Sequence, residues 1–471
     1  MSARRVRVGL ACAVLLVSGT VVAQAGGGRV VGHDAALAQL SRLAGAAPLA
    51  PASTVDEVAV PRARCAAGSQ PEPGLQGEVT DKDRASGRSM REYTCNVQRV
   101  STLLGEGSGL QAAYYKTCAY YGVIGTGTRV VDVRDPRHPK IVTTLTSPAM
   151  RDPWESLKVN AQRGLLGAVE GTLNGPLFFD VYDIKADCTN PVLQSSLPIN
   201  SIGHEGEWSQ DGQTYYATSM APGLLTAIDV SDPTLPKVIT VTPYTGSGLG
   251  HGLSTNRDGT RLYAVDPDAF NAQNRGNGLR ILDVSDIKAR VTGAQPKVVG
   301  SLYWLDGGGA QHTIPLIIHG KQYVVEVDEL GYGAARIIDV SHERQPRIIS
   351  YLRTEIQLSQ NRAKADAQEG ASPNFAYNLH YCNVDRLVEP TVLGCSSRAS
   401  GLRIYDIRDP EHPKEIAYYN PGGTAQGKSS SMTAQVHFVP ERGEVWSTDG
   451  GKGFFVLRFT NHAWPFRSAK G

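Results

Sequence analysis

The chain has 471 residues, with 47 Lys and Arg against 45 Asp and Glu, and a formal net charge of +2. This near balance excludes an electrostatic argument for nucleic-acid binding. With 51 Gly and 27 Pro, the chain has enough turn formers for many hairpins and too few for a disordered protein. Aromatic residues make up only 7% of the sequence, so we expect a core built mostly of Val, Ile and Leu, as β-rich folds allow.

Residues 1–25 are typical of a signal peptide. Arg4 and Arg5 precede an apolar run over 8–22, and Ala23-Gln24-Ala25 fits a small-x-small cleavage site. The run is short for a membrane span, and no second apolar run approaches the length of about 18 residues that a span needs. We therefore expect a secreted, cell-surface or periplasmic protein with no membrane span in the mature chain.

Residues 26–92 are rich in Ala, Gly, Pro, Arg and Ser and show no sustained β pattern. This composition predicts a low-complexity, loosely ordered leader. Alternating apolar patterns begin at Tyr93 and continue to about residue 460, which leaves residues 461–471 as a C-terminal tail.

Six cysteines remain once the signal peptide is removed, and an even number in an exported chain favours disulfides. Cys382 and Cys395 flank a hairpin loop and are the best predicted pair. Cys95 with Cys118 is the second predicted pair, which leaves Cys65 and Cys188 as a remainder. Reduced, buried thiols are the alternative.

One phrase recurs about seven times in residues 93–460: an apolar β-run, an Asp-rich turn and a second β-run. Its clearest copy runs from Gly401 to Lys414. Successive copies are 46 to 67 residues apart, which matches the four short strands and loops of a propeller blade. The turn Asp residues are expected to cap their own turns, with Ca²⁺ binding as the less favoured alternative. The first Asp of successive copies is Asp132, Asp183, Asp229, Asp283, Asp339 and Asp406.

A second hairpin precedes the phrase in each unit. In two units its turn reads Asp211-Gly212 and Asp258-Gly259, and Asp-Gly between alternating runs is a strong hairpin signal. Each unit is thus four strands, a to d, and the fold class is all-β, a seven-bladed β-propeller. The last unit lacks strand d, and the run over 93–104 can supply it, so that an N-terminal strand completes the last blade and closes the ring.

The repeated apolar run followed by Asp-Val-Ser/Arg-Asp-Pro resembles the LVIVD-repeat family of exported bacterial β-propellers. The resemblance covers roughly residues 93–459. It implies the propeller fold and leaves the reaction open, because this family is defined by its repeat.

Five of the eleven histidines fall near the start of strand a in five successive blades. Two of them share a frame, since each lies seven residues before the Asp of its Asp-Gly turn, and the other three are placed by unit order. Strand a lines the central channel of a propeller, so we expect five imidazoles to converge at one mouth as metal ligands. These histidines are His204, His251, His312, His380 and His437.

Carboxylates are expected at the same mouth, because strand b returns there and some strand a segments begin with Glu. Imidazole backed by carboxylate suits a transition metal ion such as Cu, Fe, Zn or Mn. These acidic residues are Glu155, Glu170, Glu205, Asp266, Glu326, Asp328 and Asp449.

Two functions remain open at this point. The first is metal binding at the axis, with redox chemistry on a small substrate as its extension. This general layout is similar to that of carotenoid cleavage oxygenases and selenium-binding proteins, although no motif of either is present. The second is a non-catalytic extracellular scaffold whose loops recognise a protein or glycan, with the histidines stapling neighbouring blades. The sequence alone does not separate an enzyme from a binding protein, and we expect a monomer.

Overall fold

The computed structural model describes residues 57–105, 107–108, 110–123, 125–171, 177–199, 203–219, 223–244, 250–267, 277–369, 377–424, 432 and 434–465. The predicted signal peptide, the leader up to residue 56 and the tail from residue 466 lie outside the described residues.

The described strands form seven antiparallel sheets, which confirms the predicted seven-bladed β-propeller. Before the first blade come β1 (Tyr93–Cys95) and β2 (Val97–Leu103). Blade 1 contains β3 (Ala112–Tyr115), β4 (Cys118–Val123), β5 (Gly127–Asp132) and β6 (Lys140–Leu145). Blade 2 contains β7 (Lys158–Asn160), β8 (Leu165–Val169), β9 (Leu177–Asp183) and β10 (Val192–Ile199). Blade 3 contains β11 (Gly206–Trp208), β12 (Thr214–Ser219), β13 (Leu224–Asp229) and β14 (Lys237–Pro243).

The remaining blades follow the same order of strands along the chain. Blade 4 contains β15 (Leu253–Thr255), β16 (Arg261–Asp266), β17 (Asn277–Asp283) and β18 (Lys297–Trp304). Blade 5 contains β19 (Gly308–Ile318), β20 (Lys321–Leu330), β21 (Ala335–Asp339) and β22 (Arg347–Leu352). Blade 6 contains β23 (Leu379–Val384), β24 (Val392–Ser397), β25 (Gly401–Asp406) and β26 (Lys414–Asn420). Blade 7 contains β27 (His437–Val439), β28 (Glu444–Asp449) and β29 (Gly453–Phe459).

The ring is closed by the N-terminal strands, as predicted. β2 pairs with β29 in antiparallel register, with Val97 opposite Phe459, and so becomes the outer strand of blade 7. β1 pairs with β26 and adds a fifth strand to blade 6. Between β1 and β2, Asn96 adopts a left-handed backbone with φ of 54°, which turns the chain from one blade to the next.

The repeated phrase supplies the core and the outer turn of each blade. In its clearest copy Leu402 and Ile404 are fully buried between blades, whereas Val298 on an outer strand remains 53% exposed. The turn Asp caps its own turn, as expected: Asp229 Oδ1 accepts a hydrogen bond of 2.9 Å from the backbone N–H of Ser231.

Helices are few and short in the described part of the chain. None of those helices is long and apolar enough to cross a membrane. The α-helices are α1 (Asp81–Ser86), α2 (Pro148–Arg151), α3 (Ser285–Lys288) and α4 (Arg362–Glu369). The 3-10 turns are Arg88–Met90, Glu355–Gln357, Ser359–Asn361 and Pro440–Arg442.

Residues 57–92, which we call the arm, differ from the loose leader expected. The arm packs on blades 5 and 6, where Glu72 binds the fully buried Arg403 through two contacts of 2.5 and 3.1 Å. The Val60 N–H also donates to the Arg353 carbonyl at 2.9 Å. The composition of the arm predicts no regular structure, but polar groups on the propeller hold it in place. Beyond the last strand, Trp464 also packs, with Nε1 donating to Thr391 Oγ1 at 3.1 Å.

Three disulfides form, and one of the two predicted pairs is confirmed. Cys382 bonds Cys395 across neighbouring strands of blade 6. The predicted pairing of Cys95 with Cys118 is wrong, and so is its remainder, because the bonds present are Cys65–Cys95 and Cys118–Cys188. The first ties the arm to β1, and the second ties blade 1 to the outer turn of blade 2. Spacing along the chain could not reveal either contact.

Candidate metal centre

Three of the five predicted histidines meet at one mouth of the axis, together with Glu155. His204 precedes β11, His251 precedes β15 and His380 lies in β23, so blades 3, 4 and 6 each supply one imidazole. Glu155 precedes β7 in blade 2. All four lie near the start of the innermost strand of their blade, which is why they gather at the same mouth.

Glu155, His204 and His251 present three donor atoms to one point. His204 Nε2 is 3.0 Å from His251 Nε2 and 3.1 Å from Glu155 Oε2, and His251 Nε2 is 3.8 Å from Glu155 Oε2. A triangle with these sides has a circumradius of about 2 Å, which is close to the bond length from Zn²⁺ to imidazole nitrogen or carboxylate oxygen. A cation near the plane of the three atoms would therefore be in bonding range of all of them.

His380 and Glu329 form the other half of the cluster. His380 Nε2 lies 3.0 Å from Glu155 Oε1 and 3.5 Å from Glu329 Oε2. The second oxygen of Glu329 lies 3.9 Å from His251 Nε2. Glu329 was not predicted as a site residue; it comes from the end of β20 in blade 5. The cluster thus draws on five successive blades, 2 to 6.

A buried shell surrounds the cluster and orients it. His251 Nδ1 donates to the Gln311 carbonyl at 2.9 Å, which leaves Nε2 to face the other donors. Glu205 Oε2 lies 3.6 Å from the same Nδ1, and its Oε1 lies 3.6 Å from Lys158 Nζ. The Lys158 ammonium also lies 5.2 Å from the centre of the Tyr381 ring.

Access to the cluster is from the mouth. The side chains of His204 and Glu329 are each 12% exposed, whereas those of Glu155, His251 and His380 are at most 4% exposed. The open edge of the centre therefore lies at His204 and Glu329, where a small molecule from solvent could make contact.

Charge and burial set the protonation of these groups. Burial alone would raise the pKa of Glu155, but the interactions with His204 and His380 outweigh it and hold that pKa well below its usual value. Burial opposes the charged form of His251, yet Glu205, Glu155 and Glu329 raise its pKa to about 10. Without a cation His251 is thus protonated at neutral pH, and a metal ion would replace that proton.

Two further members of the centre, His204 and Glu329, have pKa values shifted toward their neutral forms. Burial lowers the pKa of His204, and the nearby Glu155 offsets this only in part. Burial also raises the pKa of Glu329 to about 7, against the charges of His251 and His380. Neutral imidazole is the form that binds metal.

Strained backbone flanks two members of the cluster. Trp154, directly before Glu155, has φ of 46°, a left-handed conformation that is rare for a bulky residue. It fits because residue 171 is Gly: a Cβ there would lie 2.4 Å from Trp154 Cβ. After Glu329, Tyr332 and Ala334 have φ of 58° and 60°. Backbone strain of this kind concentrates at functional sites.

His312 and His437 do not join the cluster, so the expectation of five converging imidazoles is corrected. His312 lies in the channel wall, where Nε2 donates to the Cys382 carbonyl at 3.2 Å. His437 pairs with Trp446, the third residue of β28, and so lies lower in the channel. Its ring stacks on Tyr114 at 4.9 Å, and burial lowers its pKa to about 4. Unit order alone could not give this register.

Most of the predicted carboxylates have other partners. Glu326 and Asp328 bind Arg336 at 2.5 and 2.7 Å, and all three side chains are fully buried. Asp266 accepts a hydrogen bond of 2.9 Å from the Tyr303 hydroxyl. Asp449 accepts one of 2.8 Å from the Gly451 N–H.

Two of the predicted carboxylates are placed differently again. Glu170 lies near Asp152, where its charge, after burial, helps to raise the pKa of Asp152 to about 6. Glu205 contacts His251, as a residue backing an imidazole should.

Sequence reasoning missed Glu329, Lys158, Gln311 and Tyr381. The sequence does carry a signal for Glu329. This residue lies three positions after Glu326 and one after Asp328, so the alternation of side chains along a strand places it on the face opposite to theirs. Gln311 and Tyr381 each adjoin a predicted histidine in sequence. Lys158 carries no sequence signal that separates it from a surface lysine.

Comparisons with known proteins add the fold and little else. No family model matches the chain, and no curated protein sequence matches it. Among solved structures, the β-propeller domain of Cps50 (Swd1) from Myceliophteria thermophila has a TM-score of 0.50 at 10% identity, over 78% of this chain and 100% of that one. The periplasmic gluconolactonase PpgL of Pseudomonas aeruginosa has a TM-score of 0.49 at 13% identity, over 78% of this chain and 97% of that one. At such identities the similarity to Cps50 shows the propeller fold alone.

Proposed function

We propose that this protein is an exported propeller that binds a transition metal ion at the axial centre through Glu155, His204 and His251. The observation that carries the proposal is the triangle of Nε2, Nε2 and Oε2 atoms, whose circumradius of about 2 Å matches a metal–ligand bond. The hydrogen bond from His251 Nδ1 to the Gln311 carbonyl supports it, because it fixes the tautomer that a ligand needs.

The donor set favours Zn, Mn, Fe or Cu(II). Imidazole suits Zn, Cu and Fe, and carboxylates extend the range to Mn. Thiolate ligation is not part of the proposal, since the six cysteines in the described part of the chain are all in disulfides. With Cu, Fe or Mn bound, the centre would support redox chemistry on a small substrate that reaches the open edge at His204 and Glu329.

The test is metal content. The mature chain is produced without a His tag, stripped of metal, reconstituted with Mn, Fe, Cu or Zn and examined by elemental analysis. We expect at least about one equivalent of one of these metals, and loss of most of it in His204→Ala and His251→Ala. His312→Ala and His437→Ala are matched controls, because both remove channel histidines that lie outside the cluster, and both should keep the metal.

Two results would contradict the proposal. One is metal content below about 0.2 equivalents in folded, reconstituted protein. The other is full occupancy that survives the double variant His204→Ala with His251→Ala. The first result would favour a non-catalytic scaffold that recognises a protein or glycan, and the second would mean that the metal binds elsewhere in the protein. Melting curves of each variant show whether the loss of metal is separate from loss of fold.

We also propose export and membership of the LVIVD-repeat family. Three disulfides support export, because such bonds persist in oxidising compartments. The recurrent Asp-capped outer turn supports the family. Fractionation of cells that express the full-length chain tests the first, and retention of the processed protein in the cytoplasm would contradict it.

A further inference from the structure

Glu155 and Glu329, the two carboxylates of the cluster, each turn one oxygen toward the His251 side and the other toward His380. Glu155 turns Oε2 toward His204 and His251, at 3.1 and 3.8 Å, and turns Oε1 toward His380, at 3.0 Å. Glu329 turns Oε1 toward His251, at 3.9 Å, and Oε2 toward His380, at 3.5 Å. One metal ion at the triangle of Glu155, His204 and His251 uses only Oε2 of Glu155, and it leaves Glu155 Oε1 and Glu329 Oε2 on the His380 side.

A further donor lies on the His380 side. Gln311 is fully buried, and its amide nitrogen lies 3.4 Å from His380 Nε2. Its Oε1 accepts no hydrogen bond from any described residue. A buried amide oxygen of this kind calls for a partner, and turning the amide over would bring the oxygen to the His380 side.

We propose that the axial centre holds two divalent transition metal ions, bridged by Glu155 and Glu329. The first ion lies at His204 and His251, and the second lies at His380, with Gln311 Oε1 as an additional donor. A carboxylate that offers one oxygen to each of two ions is the usual link between metals about 3.5–4 Å apart. This inference rests on the proposed function, because the second ion needs the first to share its bridges.

Local charge leaves room for added cations. Glu155, Glu205 and Glu329 all lie within 4 Å of His251 or His380, and Lys158 is the described ammonium beside them. When the three carboxylates are ionised, a first divalent ion would balance their excess over this ammonium, and a second would leave a positive charge that an anion from solvent, such as hydroxide, would compensate.

Stoichiometry and magnetic coupling test the inference. The metal-stripped mature protein is reconstituted separately with Mn²⁺, Zn²⁺ and Cu²⁺, and bound metal is measured by elemental analysis. We expect about two ions per chain for the ion that binds best, and an electron paramagnetic resonance spectrum of an exchange-coupled pair for Mn²⁺ or Cu²⁺. His380→Ala should retain about one ion per chain, with the spectrum of an isolated ion. His312→Ala, the matched control, should keep the coupled pair.

The outcomes separate this inference from the proposed function. One ion per chain in the wild-type protein would overturn the paired centre and leave the single site standing. Two ions without exchange coupling would overturn the bridging role of Glu155 and Glu329. No bound metal would overturn both. If His380→Ala does not fold, Gln311→Leu serves instead, with selective weakening of the second ion as the expected result.

Discussion

The arm offers the sharpest test of how the propeller is held together. Arg403 is fully buried in β25, and Glu72 of the arm binds both of its terminal nitrogens, at 2.5 and 3.1 Å. Glu415 contacts the same guanidinium at 3.0 Å. Glu72→Gln keeps the shape of the side chain and removes its charge.

The expected loss follows from burial. Removing the charge of one partner in a buried ion pair costs about 3–5 kcal/mol. Because Glu415 still compensates Arg403, we expect the low end of this range, about 3 kcal/mol for detachment of the arm. The matched control is Arg62→Gln, also in the arm. Its ion pair with Glu355 is 44% and 34% exposed, and exposed pairs contribute only about 0–1 kcal/mol.

Native-state proteolysis reads out detachment of the arm. Lys82 lies exposed in α1, so trypsin should cleave there when the arm leaves the propeller. A cost of about 3 kcal/mol raises the open population, and with it the cleavage rate, roughly 100-fold in Glu72→Gln, against at most a few-fold in Arg62→Gln. Equal, small changes in both variants would refute the assignment of Glu72 as the main anchor of the arm.

Three further predictions follow from burial and close contact. Asp152→Asn should stabilise the protein above pH 6 by about 1–3 kcal/mol and have little effect at pH 4. Burial raises the pKa of Asp152 to about 6 in the fold, so the ionised carboxylate is unfavourable there and wild-type stability is lost as the pH rises through that value. If the urea midpoint of Asp152→Asn exceeds that of the wild type equally at both pH values, this reasoning is wrong. Gly252→Ala should weaken metal binding although residue 252 is no ligand. A Cβ there would lie 2.1 Å from the Gln311 carbonyl oxygen and would displace the group that accepts the hydrogen bond of His251 Nδ1. Unchanged metal affinity in a folded variant would argue that this hydrogen bond does not support the site. Reductant should lower the free energy of unfolding by about 2–4 kcal/mol per disulfide, and an unchanged denaturation midpoint would show that the bonds do not stabilise the ring.

The sequence predicts the propeller because local and global signals agree. Asp-Gly turns and Asp-capped outer turns recur at blade spacing, and each carries its own backbone chemistry. The strand over 93–104 is a harder case. It is predicted to close the ring because the last unit lacks strand d, and the pairing of β2 with β29 confirms that role. Its division into β1 and β2 depends on the left-handed Asn96, which no pattern of apolar residues reveals.

The site is predicted only in part, and the reason is register. His204 and His251 share a frame with an Asp-Gly turn, so their common height in the channel follows from the sequence. His437 lacks such a turn, and alignment by unit order placed it too high. The position of Glu329 in the cluster depends on the unusual length of β20, and the average length of a blade strand does not predict it.

The arm was missed for a different reason. Its fixed structure comes from Glu72, Gln76 and Cys65 reaching partners that are distant in sequence. A segment whose order depends on partners far along the chain has no periodicity to detect.

The pairing of β2 with β29 also bears on how the chain assembles. Until β2 has paired with β29, the outer edge of β29 is open. This pairing joins segments that are far apart in sequence, so we expect it to be slow. During that time the β2 of a second chain fits the same edge. Refolding at high protein concentration should therefore yield strand-exchanged dimers, in which each blade 7 is completed by the other chain.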